Sequence, residues 1–280
     1  MNYPHANRVA ILMLLGSALV IGACGTTANK DTTPKADWVM TWHDEFEGEK
    51  GAGPNPENWV YDIGGEGWGN NQLEFDTDRP ENVSLDGDGH LAIVARKELF
   101  QGREYTGARI KTKGLFEQRY GRVEARIKLP IGRGIWPAFW MLGNDIDDNE
   151  WPGCGEIDIM EYRGQEPRIV HGTIHGPGYS AGEGITSSFR LPDDQNFADD
   201  FHVFAVDWDP SRFTFWVDDE VYHVINADEV TARGPWVFEH PFFLLLNVAV
   251  GGGFVGDPDP STIFPQTMLV DWVRVYARAR

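Results

Sequence analysis

The sequence of 280 residues has little cysteine, little positive charge and no apolar run of membrane-spanning length. Two cysteines cannot support the disulfide framework that stabilises many small secreted domains. Lys and Arg number 24 against 43 Asp and Glu, which gives a net charge of -19. Because a phosphate-binding surface needs clustered basic residues, this balance argues against a nucleic-acid partner. The apolar run Val9–Val20 is too short for a comfortable membrane span.

The N-terminus instead has the pattern of a secretory signal. Arg8 precedes the apolar run, and Ile21-Gly22-Ala23-Cys24 follows it. This tetrapeptide resembles a bacterial lipobox, in which cleavage before the cysteine leaves that residue lipid-modified at the mature N-terminus. We therefore expect residues 1–23 to be a lipoprotein signal peptide, and residues 24–37 to be the lipidated Cys24 followed by a polar, flexible linker.

The expected location follows from this anchor. A lipid on Cys24 would tether the mature protein to the bacterial cell envelope and would leave Cys154 without a disulfide partner. Gly25 stands where an Asp favours retention in the inner membrane of Gram-negative bacteria, so we expect the outer membrane. Secretion with a free Cys24 is the alternative. We expect Cys154 to behave as a small buried hydrophobe, as most buried free cysteines do.

From Trp38 onward the sequence predicts β-structure. Short alternating or fully apolar runs recur between Gly, Pro, Asn and Asp clusters, and no segment has a convincing 3.6-residue period. We predict one all-β domain over residues 38–280, a β-sandwich of jelly-roll type (concanavalin A-like), with two antiparallel sheets and a concave cleft. The clearest predicted strands are Arg122–Leu129 with its charges half exposed, the hairpin of Phe213–Val217 and Val221–Ile225, the doubly buried Phe242–Val250, and Met268–Ala277.

The segment Gly155–Tyr162 carries three carboxylates among residues that favour strands. In a regular strand side chains alternate between faces, so Glu156 and Asp158 share one face while Glu161 lies on the other. The two glutamates converge only if one extra residue bulges out between Asp158 and Glu161, near Ile159 or Met160. The spacing therefore predicts a β-bulge.

Such a carboxylate cluster has the composition of a glycosidase active site. Retaining glycosidases use two carboxyl groups roughly 5–5.5 Å apart, one as nucleophile and one as acid. Like charges at this distance cannot all ionise, so we expect a shared proton and a raised pKa within the cluster. The alternative is a set of solvent-facing charges on an edge strand. It is disfavoured because three acidic residues with no basic neighbour before Arg163 repel one another.

Aromatic residues and histidines near this segment suggest a carbohydrate cleft. Trp136 and Trp140 share one face of a regular strand, where indole rings can stack on the apolar faces of sugars. His171 and His175 also share a strand face, but no third ligand supports a zinc site. We expect His175 to hydrogen-bond a sugar or a carboxylate, with a structural histidine as the alternative. Arg109 can orient a neutral hydroxyl group.

The segment Glu156–Glu161 resembles the catalytic motif of glycoside hydrolase family 16, and its wider context is similar to the bacterial laminarinases of that family. The resemblance extends over roughly residues 38–278. In lichenases the motif is unbulged and one residue shorter, so the spacing here favours the laminarinase form. The other matching segments are Trp68–Glu74, Arg79–Val83, Gly134–Gly143, Asn247–Gly252 and Val270–Tyr276.

The resemblance implies a role for individual residues. Glu156 would be the nucleophile, Glu161 the acid/base and Asp158 their assistant, and catalysis would need no cofactor. The residues implied to line the substrate cleft are Asn70, Arg109, Trp136, Trp140, His175 and Asn247.

Many family members also bind a structural calcium far from the catalytic residues. The matching positions would supply the backbone oxygens of Glu45 and Gly89 and the carboxylate of Asp271.

The expected activity is endo-acting, retaining hydrolysis of β-1,3-glucan by a monomer. Mixed-linkage 1,3-1,4-glucan or a galactan is the alternative substrate within the family. A surface glucan-binding lectin is the alternative from another class, because it would use the same tryptophans without turnover. Invertebrate relatives that only bind glucan have lost the two glutamates, and both are present here as Glu156 and Glu161.

Overall fold

The computed structural model describes residues 38–192 and 194–279. The predicted signal peptide, lipidated Cys24 and linker lie outside these residues. The described chain forms 17 strands, a short helix and a 3-10 turn at Ala181–Glu183. In chain order the strands and the helix are β1 (Trp38–Asp44), β2 (Val60–Asp62), β3 (Glu74–Asp76), β4 (Val83–Leu85), β5 (Leu91–Phe100), β6 (Arg103–Gly107), β7 (Arg109–Lys111), β8 (Gly121–Lys128), β9 (Ile135–Gly143), β10 (Glu156–Tyr162), β11 (Ile169–His175), β12 (Ile185–Arg190), β13 (His202–Asp209), β14 (Arg212–Val217), β15 (Glu220–Asn226), α1 (Ala227–Thr231), β16 (Phe242–Val250) and β17 (Gln266–Arg278).

The strands form two sheets. The larger has ten strands in the order β15-β14-β13-β8-β17-β5-β6-β3, with β1 beside β17 and β4 beside β5. The smaller has seven strands in the order β12-β11-β10-β9-β16-β7-β2. The pairings of β10 with its neighbours are antiparallel, whereas β3 and β6 pair in parallel. The prediction of an all-β, two-sheet architecture is confirmed, with this one parallel pair as a departure from it.

Apolar side chains from alternating strand positions form the core. On β8 the inward side chains are Val123, Ala125 and Ile127, all fully buried. Every residue of β16 is buried, as its nearly continuous apolar run predicts. Leu244 and Leu246 belong to the main core, while the intervening Leu245 packs in a separate cluster on the other face.

The charged face of β8 differs from the predicted half-exposed face. Glu124 is only 2% exposed. Arg122 Nε donates to Glu124 Oε2 at 2.7 Å, and Arg122 Nη1 donates to Asp207 Oδ1 at 2.8 Å. The prediction was wrong for Glu124 because neighbouring charged side chains pair with one another and cover its carboxylate.

The predicted hairpin is present as β14 and β15, which pair in antiparallel fashion around Asp218 and Asp219. The predicted final strand is β17, which extends a little beyond the predicted limits at both ends. Among residues 38–192 and 194–279, no helix is long and apolar enough to cross a membrane.

Candidate active site

The catalytic candidates lie on β10, between β9 and β11 in the seven-stranded sheet. Glu156 pairs with His175, and Glu161 pairs with His171. Five steps along β10 therefore correspond to only four steps along β11, and the register shifts between Asp158 and Glu161. On the other side, β9 shows the same shift between Asp158 and Met160. The predicted bulge is confirmed, at the predicted position.

The bulge restores Glu161 to the cleft side of the sheet. Side chains alternate between the two faces of a strand, so residues four steps apart share a face. On both β9 and β11 the partners of Glu156 and Glu161 are four steps apart and therefore lie on the same face. Asp158 pairs opposite Thr173 between them. Ile159 and Met160 both belong to the main core, so the extra residue is accommodated on the apolar side.

His175 contacts the first two carboxylates of the cluster. Its Nε2 lies 3.1 Å from Asp158 Oδ2 and 3.8 Å from Glu156 Oε1. Asp158 is 3% exposed, and the geometry of its Oδ2 towards His175 is too poor for a hydrogen bond. The structure thus places His175 against a carboxylate, one of the two contacts expected for it.

The three carboxyl groups have raised pKa values because they are buried together. Burial, followed by the charge of Asp158, raises the pKa of Glu156 to about 8. Burial, followed by the charge of Glu156, raises the pKa of Glu161 to about 7. Burial and the charge of Glu161 raise the pKa of Asp158 well above its usual range. The cluster therefore retains protons near neutral pH, and its titration belongs to the group as a whole.

Two tryptophan side chains donate hydrogen bonds into the cleft. Trp136 Nε1 donates to Glu161 Oε1 at 3.1 Å, and Trp140 Nε1 donates to Asn247 Oδ1 at 2.8 Å. The Arg109 guanidinium lies 4.7 Å from the centre of the Trp140 ring. These predicted residues form a continuous surface across β10, β9, β16 and β7, which are neighbours in this order.

Asn70 lies on the loop before β3, with an exposed side chain. Its backbone oxygen accepts a hydrogen bond from Gly253 N at 3.0 Å. The adjacent Gly252 lies close to the Trp136 ring: a Cβ atom added at Gly252 would be 3.5 Å from that ring. Asn70 is therefore near the Trp136 side of the cleft.

The sequence reasoning missed two aromatic residues at this site. The Trp151 side chain donates a hydrogen bond to Glu156, which lowers the pKa of that carboxyl. Trp151 is 41% exposed, and its ring centre lies 6.1 Å from that of His175. The Trp68 ring lies 4.7 Å from the Arg109 guanidinium. Only the proximity of Trp151 to Glu156 in sequence could have indicated the first contact.

His171 and Cys154 lie close to the cluster but differ in their surroundings. His171 Nδ1 is 2.8 Å from Ser188 Oγ, and burial lowers the pKa of its imidazole, which favours the neutral ring. Cys154 is fully buried beside Leu142, and burial raises the pKa of its thiol to about 12. The prediction that Cys154 behaves as a buried hydrophobe is confirmed.

Of the residues considered for calcium, Asp271 lies on β17 in the ten-stranded sheet, Glu45 follows β1, and Gly89 lies between β4 and β5. Asp271 Oδ2 accepts a hydrogen bond from Arg126 Nη1 at 2.5 Å, and the Glu45 carboxylate is held by Arg274. The Arg126 guanidinium therefore competes with calcium for the one carboxylate of the implied site.

Comparison with known proteins identifies the family of this chain. The model of the family described as glycosyl hydrolases family 16 matches residues 68–274. A β-glucanase from Rhodothermus marinus is 41% identical over 280 residues, covering 96% of this chain and 94% of the relative. The X-ray structure of an endo-β-1,3-glucanase from Pyrococcus furiosus is 47% identical, with a TM-score of 0.83 and coverage of 86% of this chain and 95% of that chain.

A third similar protein was crystallised with a sugar. It is a variant of a non-specific endo-β-1,3(4)-glucanase from family 16 that presents 1,3-β-D-cellobiosyl-glucose at its active site. It is 37% identical, with a TM-score of 0.78 and coverage of 86% of this chain and 95% of that chain. The family model and the similarity over nearly the whole chain show that this protein belongs to glycosyl hydrolases family 16.

Proposed function

We propose that this protein is an endo-acting, retaining glycoside hydrolase that cleaves β-1,3-glucan. The observation that carries the proposal is the bulge in β10, which turns Glu156, Asp158 and Glu161 towards one cleft. The relatives named as β-glucanase and endo-β-1,3-glucanase support the same substrate class.

Glu156 is the nucleophile in the proposed first step. Its carboxylate attacks the anomeric carbon and forms a glycosyl-enzyme ester while the glycosidic bond breaks. The hydrogen bond from Trp151 and the charge of His175 both favour ionised Glu156. Asp158 opposes this ionisation, both by its charge and by its hydrogen bond with Glu156, which lowers the pKa of Asp158. Attack by Glu156 therefore requires the proton of this pair to move to Asp158.

Glu161 acts as acid and then as base. Its raised pKa of about 7 keeps the carboxyl group protonated near neutral pH, so it can give its proton to the departing sugar oxygen. In the second step the Glu161 carboxylate takes a proton from water, which attacks the anomeric carbon and releases Glu156. Two inversions give net retention, and this chemistry requires only carboxyl groups and water.

The remaining cleft residues bind the glucan chain. The indole rings of Trp136 and Trp140 offer apolar surfaces for the C–H faces of glucose units. Arg109 and Asn247 offer polar groups for hydroxyls. Since Trp136 Nε1 also donates to Glu161 Oε1, this residue links sugar binding to the orientation of the acid.

Glu156→Gln tests the proposed nucleophile. This variant should lose reducing-end release from laminarin while its affinity for laminari-oligosaccharides, measured by calorimetry, stays close to that of the parent protein. Glu150→Gln is the matched control, because Glu150 is an exposed glutamate on the preceding loop. Substantial hydrolysis by Glu156→Gln would contradict the role of Glu156.

Mixed-linkage 1,3-1,4-glucan is the second candidate substrate, because one similar family member is a non-specific endo-β-1,3(4)-glucanase. A galactan is a third candidate substrate, and a non-hydrolytic glucan lectin is the candidate from another class of protein. Product sizing on laminarin, barley glucan, agarose and carrageenan in parallel separates the substrates. Binding to laminarin without any product would favour the lectin.

We also propose that Cys24 carries a lipid that tethers a monomeric protein to the cell envelope, at the outer membrane, with secretion as the alternative. In support, Ile21–Cys24 resembles a lipobox. Cys24→Ser should move the protein from the membrane fraction to the soluble fraction, and an unchanged distribution would contradict the anchor. Sedimentation of the soluble variant tests the monomer.

Calcium on the ten-stranded sheet remains a prediction from the family resemblance. The contact between Arg126 and Asp271 argues against it. Thermal unfolding with EDTA and with added calcium tests the prediction, which requires a higher melting temperature with the ion.

A further inference from the structure

A second pair of buried carboxyl groups lies on β3, in the ten-stranded sheet, whereas the catalytic candidates lie in the seven-stranded sheet. Glu74 and Asp76 are the two ends of β3 and are 0% and 1% exposed. Glu74 Oε2 accepts a hydrogen bond from Val250 N at 2.7 Å, at the end of β16. Asp76 Oδ2 accepts one from Trp68 Nε1 at 2.8 Å. Neither side chain is accessible to a sugar, so any effect on binding must act through neighbouring residues.

Each of these carboxyl groups has one oxygen without a hydrogen-bond donor, Glu74 Oε1 and Asp76 Oδ1. Both groups border Gly107, where an added Cβ would lie 3.0 Å from Asp76 Oδ1 and 3.3 Å from Glu74 Cγ. A buried carboxylate oxygen with no donor is costly. A proton retained by either carboxyl group removes one of the two buried negative charges and lowers this cost.

The electrostatic surroundings agree with a retained proton. Burial raises the pKa of Asp76 to about 7, and burial together with the charge of Asp76 raises the pKa of Glu74. The charged groups that act on the pair are Arg109 on β7 and Asp62 on β2, and Tyr105 on β6 is the strand partner of Glu74. Arg109 favours ionisation, while Asp62 opposes it.

Asp76 is connected to the cleft through Trp68. The Trp68 indole donates to Asp76 and also lies against the Arg109 guanidinium. Arg109 is enclosed between Trp68 and Trp140, with both rings at 4.7 Å, and its Nε donates to Asp62 Oδ2 at 3.0 Å. Trp68 has a left-handed backbone, with φ at 48°. This strained position makes the Asp76 hydrogen bond important for holding the indole.

We propose that Asp76 is a positioning residue for glucan binding: while it and Glu74 together retain one proton, it holds Trp68 against Arg109 on β7, the third strand from β10 in the seven-stranded sheet. The inference rests on the proposed function, because it assumes that Arg109 contacts the substrate.

The first experiment measures laminarihexaose affinity by calorimetry in the inactive Glu156→Gln background. Asp76→Leu removes the acceptor and should weaken binding about tenfold, the size expected for one lost buried hydrogen bond. Asp76→Asn should restore affinity to within about twofold, because its amide oxygen accepts from Trp68 and its amide nitrogen can donate to Glu74. Asp78→Leu, at an exposed position on the same segment, is the matched control.

The second measurement is the pH dependence of that affinity. The Glu74→Gln side chain is neutral at every pH, so the affinity of this variant should change less between pH 6 and 9 than that of the parent, whose carboxyl pair loses its proton. A structural role alone would not produce this difference. If Asp76→Leu does not fold, as judged by thermal unfolding, Asp76→Ser replaces it and the Glu74→Gln comparison still applies.

The outcomes separate the two proposals. An active parent whose Asp76→Leu variant binds normally, or whose Asp76→Asn variant binds as weakly as Asp76→Leu, overturns the role of Asp76 alone. Equal pH dependence of the parent and Glu74→Gln overturns the retained proton. A parent that releases no product from laminarin overturns the proposed function, and the binding series is then carried out with the oligosaccharide that the parent does bind.

Discussion

Deletion of Ile159 should preserve the catalytic face of β10. Ile159 has no counterpart on β9, since Asp158 pairs with Trp140 and Met160 with the next residue, Phe139. Without it, Glu156 and Glu161 would be separated by four steps on β10, equal to the four steps already present on β11. At about 3.3 Å per residue, both arrangements separate the two Cα atoms by about 13 Å, against roughly 16 Å for five regular steps.

The deletion should cost stability because Ile159 is 1% exposed. Removal of most of a buried aliphatic side chain costs about 2–5 kcal/mol, which is less than the roughly 5–15 kcal/mol that usually stabilises a domain. We therefore expect a folded protein whose melting temperature is lower by roughly 4–20 °C. Misplacement of a reacting group by about 1 Å can reduce the rate about 100-fold. Because the deletion should shift the carboxyl groups by no more than this, kcat should remain within about 100-fold of the parent value.

Deletion of Ile157 is the matched control, since it also removes a buried isoleucine of β10. That deletion makes Glu156 and Asp158 consecutive residues, which places them on opposite faces, and should reduce kcat by a further factor of about 100–10,000. The assays are laminarin hydrolysis, the anomeric configuration of the first product by NMR, and thermal unfolding. A folded Ile159 deletion without retaining activity, or equal activity of the two deletions, would refute the reasoning.

Three further predictions concern the protons of the site. The value of kcat/KM should fall above about pH 7 as Glu161 ionises. In the parent, the hydrogen bond from Trp136 lowers the pKa of Glu161, so Trp136→Phe should raise that pKa and move the fall in kcat/KM to higher pH. An unchanged pH profile would contradict the assignment. The raised pKa values of Glu156 and Glu161 mean that the folded protein binds more protons than the unfolded one between about pH 4.5 and 8, so stability falls as pH rises through this window. The melting temperature of Glu156→Gln/Glu161→Gln should therefore decline less between pH 5 and 8 than that of the parent. Cys154, fully buried and with its thiol pKa raised to about 12, should react with a thiol reagent only after unfolding; rapid labelling of the folded protein would contradict its placement.

The bulge could be predicted from the sequence because it follows from counting. Alternation in a strand has a period of two, so the five-residue interval between Glu156 and Glu161 cannot place both on one face. The apolar run of β16 was equally informative, because no regular strand with that composition has a solvent-facing side. These predictions depended on local periodicity alone.

Burial of charged groups could not be predicted in this way. Glu124 occupies an alternating position on β8 that normally indicates solvent, yet Arg122 and its partners cover it. Glu74 and Asp76 also alternate with Phe75, but they face the interior. The groups that cover or pair with these carboxylates come from distant parts of the chain, as with Val250 and Glu74. Their effect depends on tertiary contacts, which a single sequence does not reveal.

The position of the bulge matters as much as its presence. An extra residue between Glu156 and Asp158 would place these two carboxylates on opposite faces and remove the neighbour that competes with Glu156 for a proton. Placed after Asp158, the bulge leaves that pair intact and turns only Glu161. The strand then presents two environments. Glu156 receives a hydrogen bond from Trp151 beside His175, while Glu161 receives one from Trp136.

These separate hydrogen bonds explain how similar carboxyl groups can take different parts in one reaction. Burial raises the pKa of both glutamates, so burial alone cannot assign the nucleophile. Only Glu156 has Asp158 on the same unbulged half of the strand, where a proton held by Asp158 leaves the Glu156 carboxylate free to attack. In the proposed mechanism Glu161, beyond the bulge, keeps its own proton for the leaving group. The single extra residue in β10 therefore places both glutamates on one face and, in the proposed mechanism, also separates their roles.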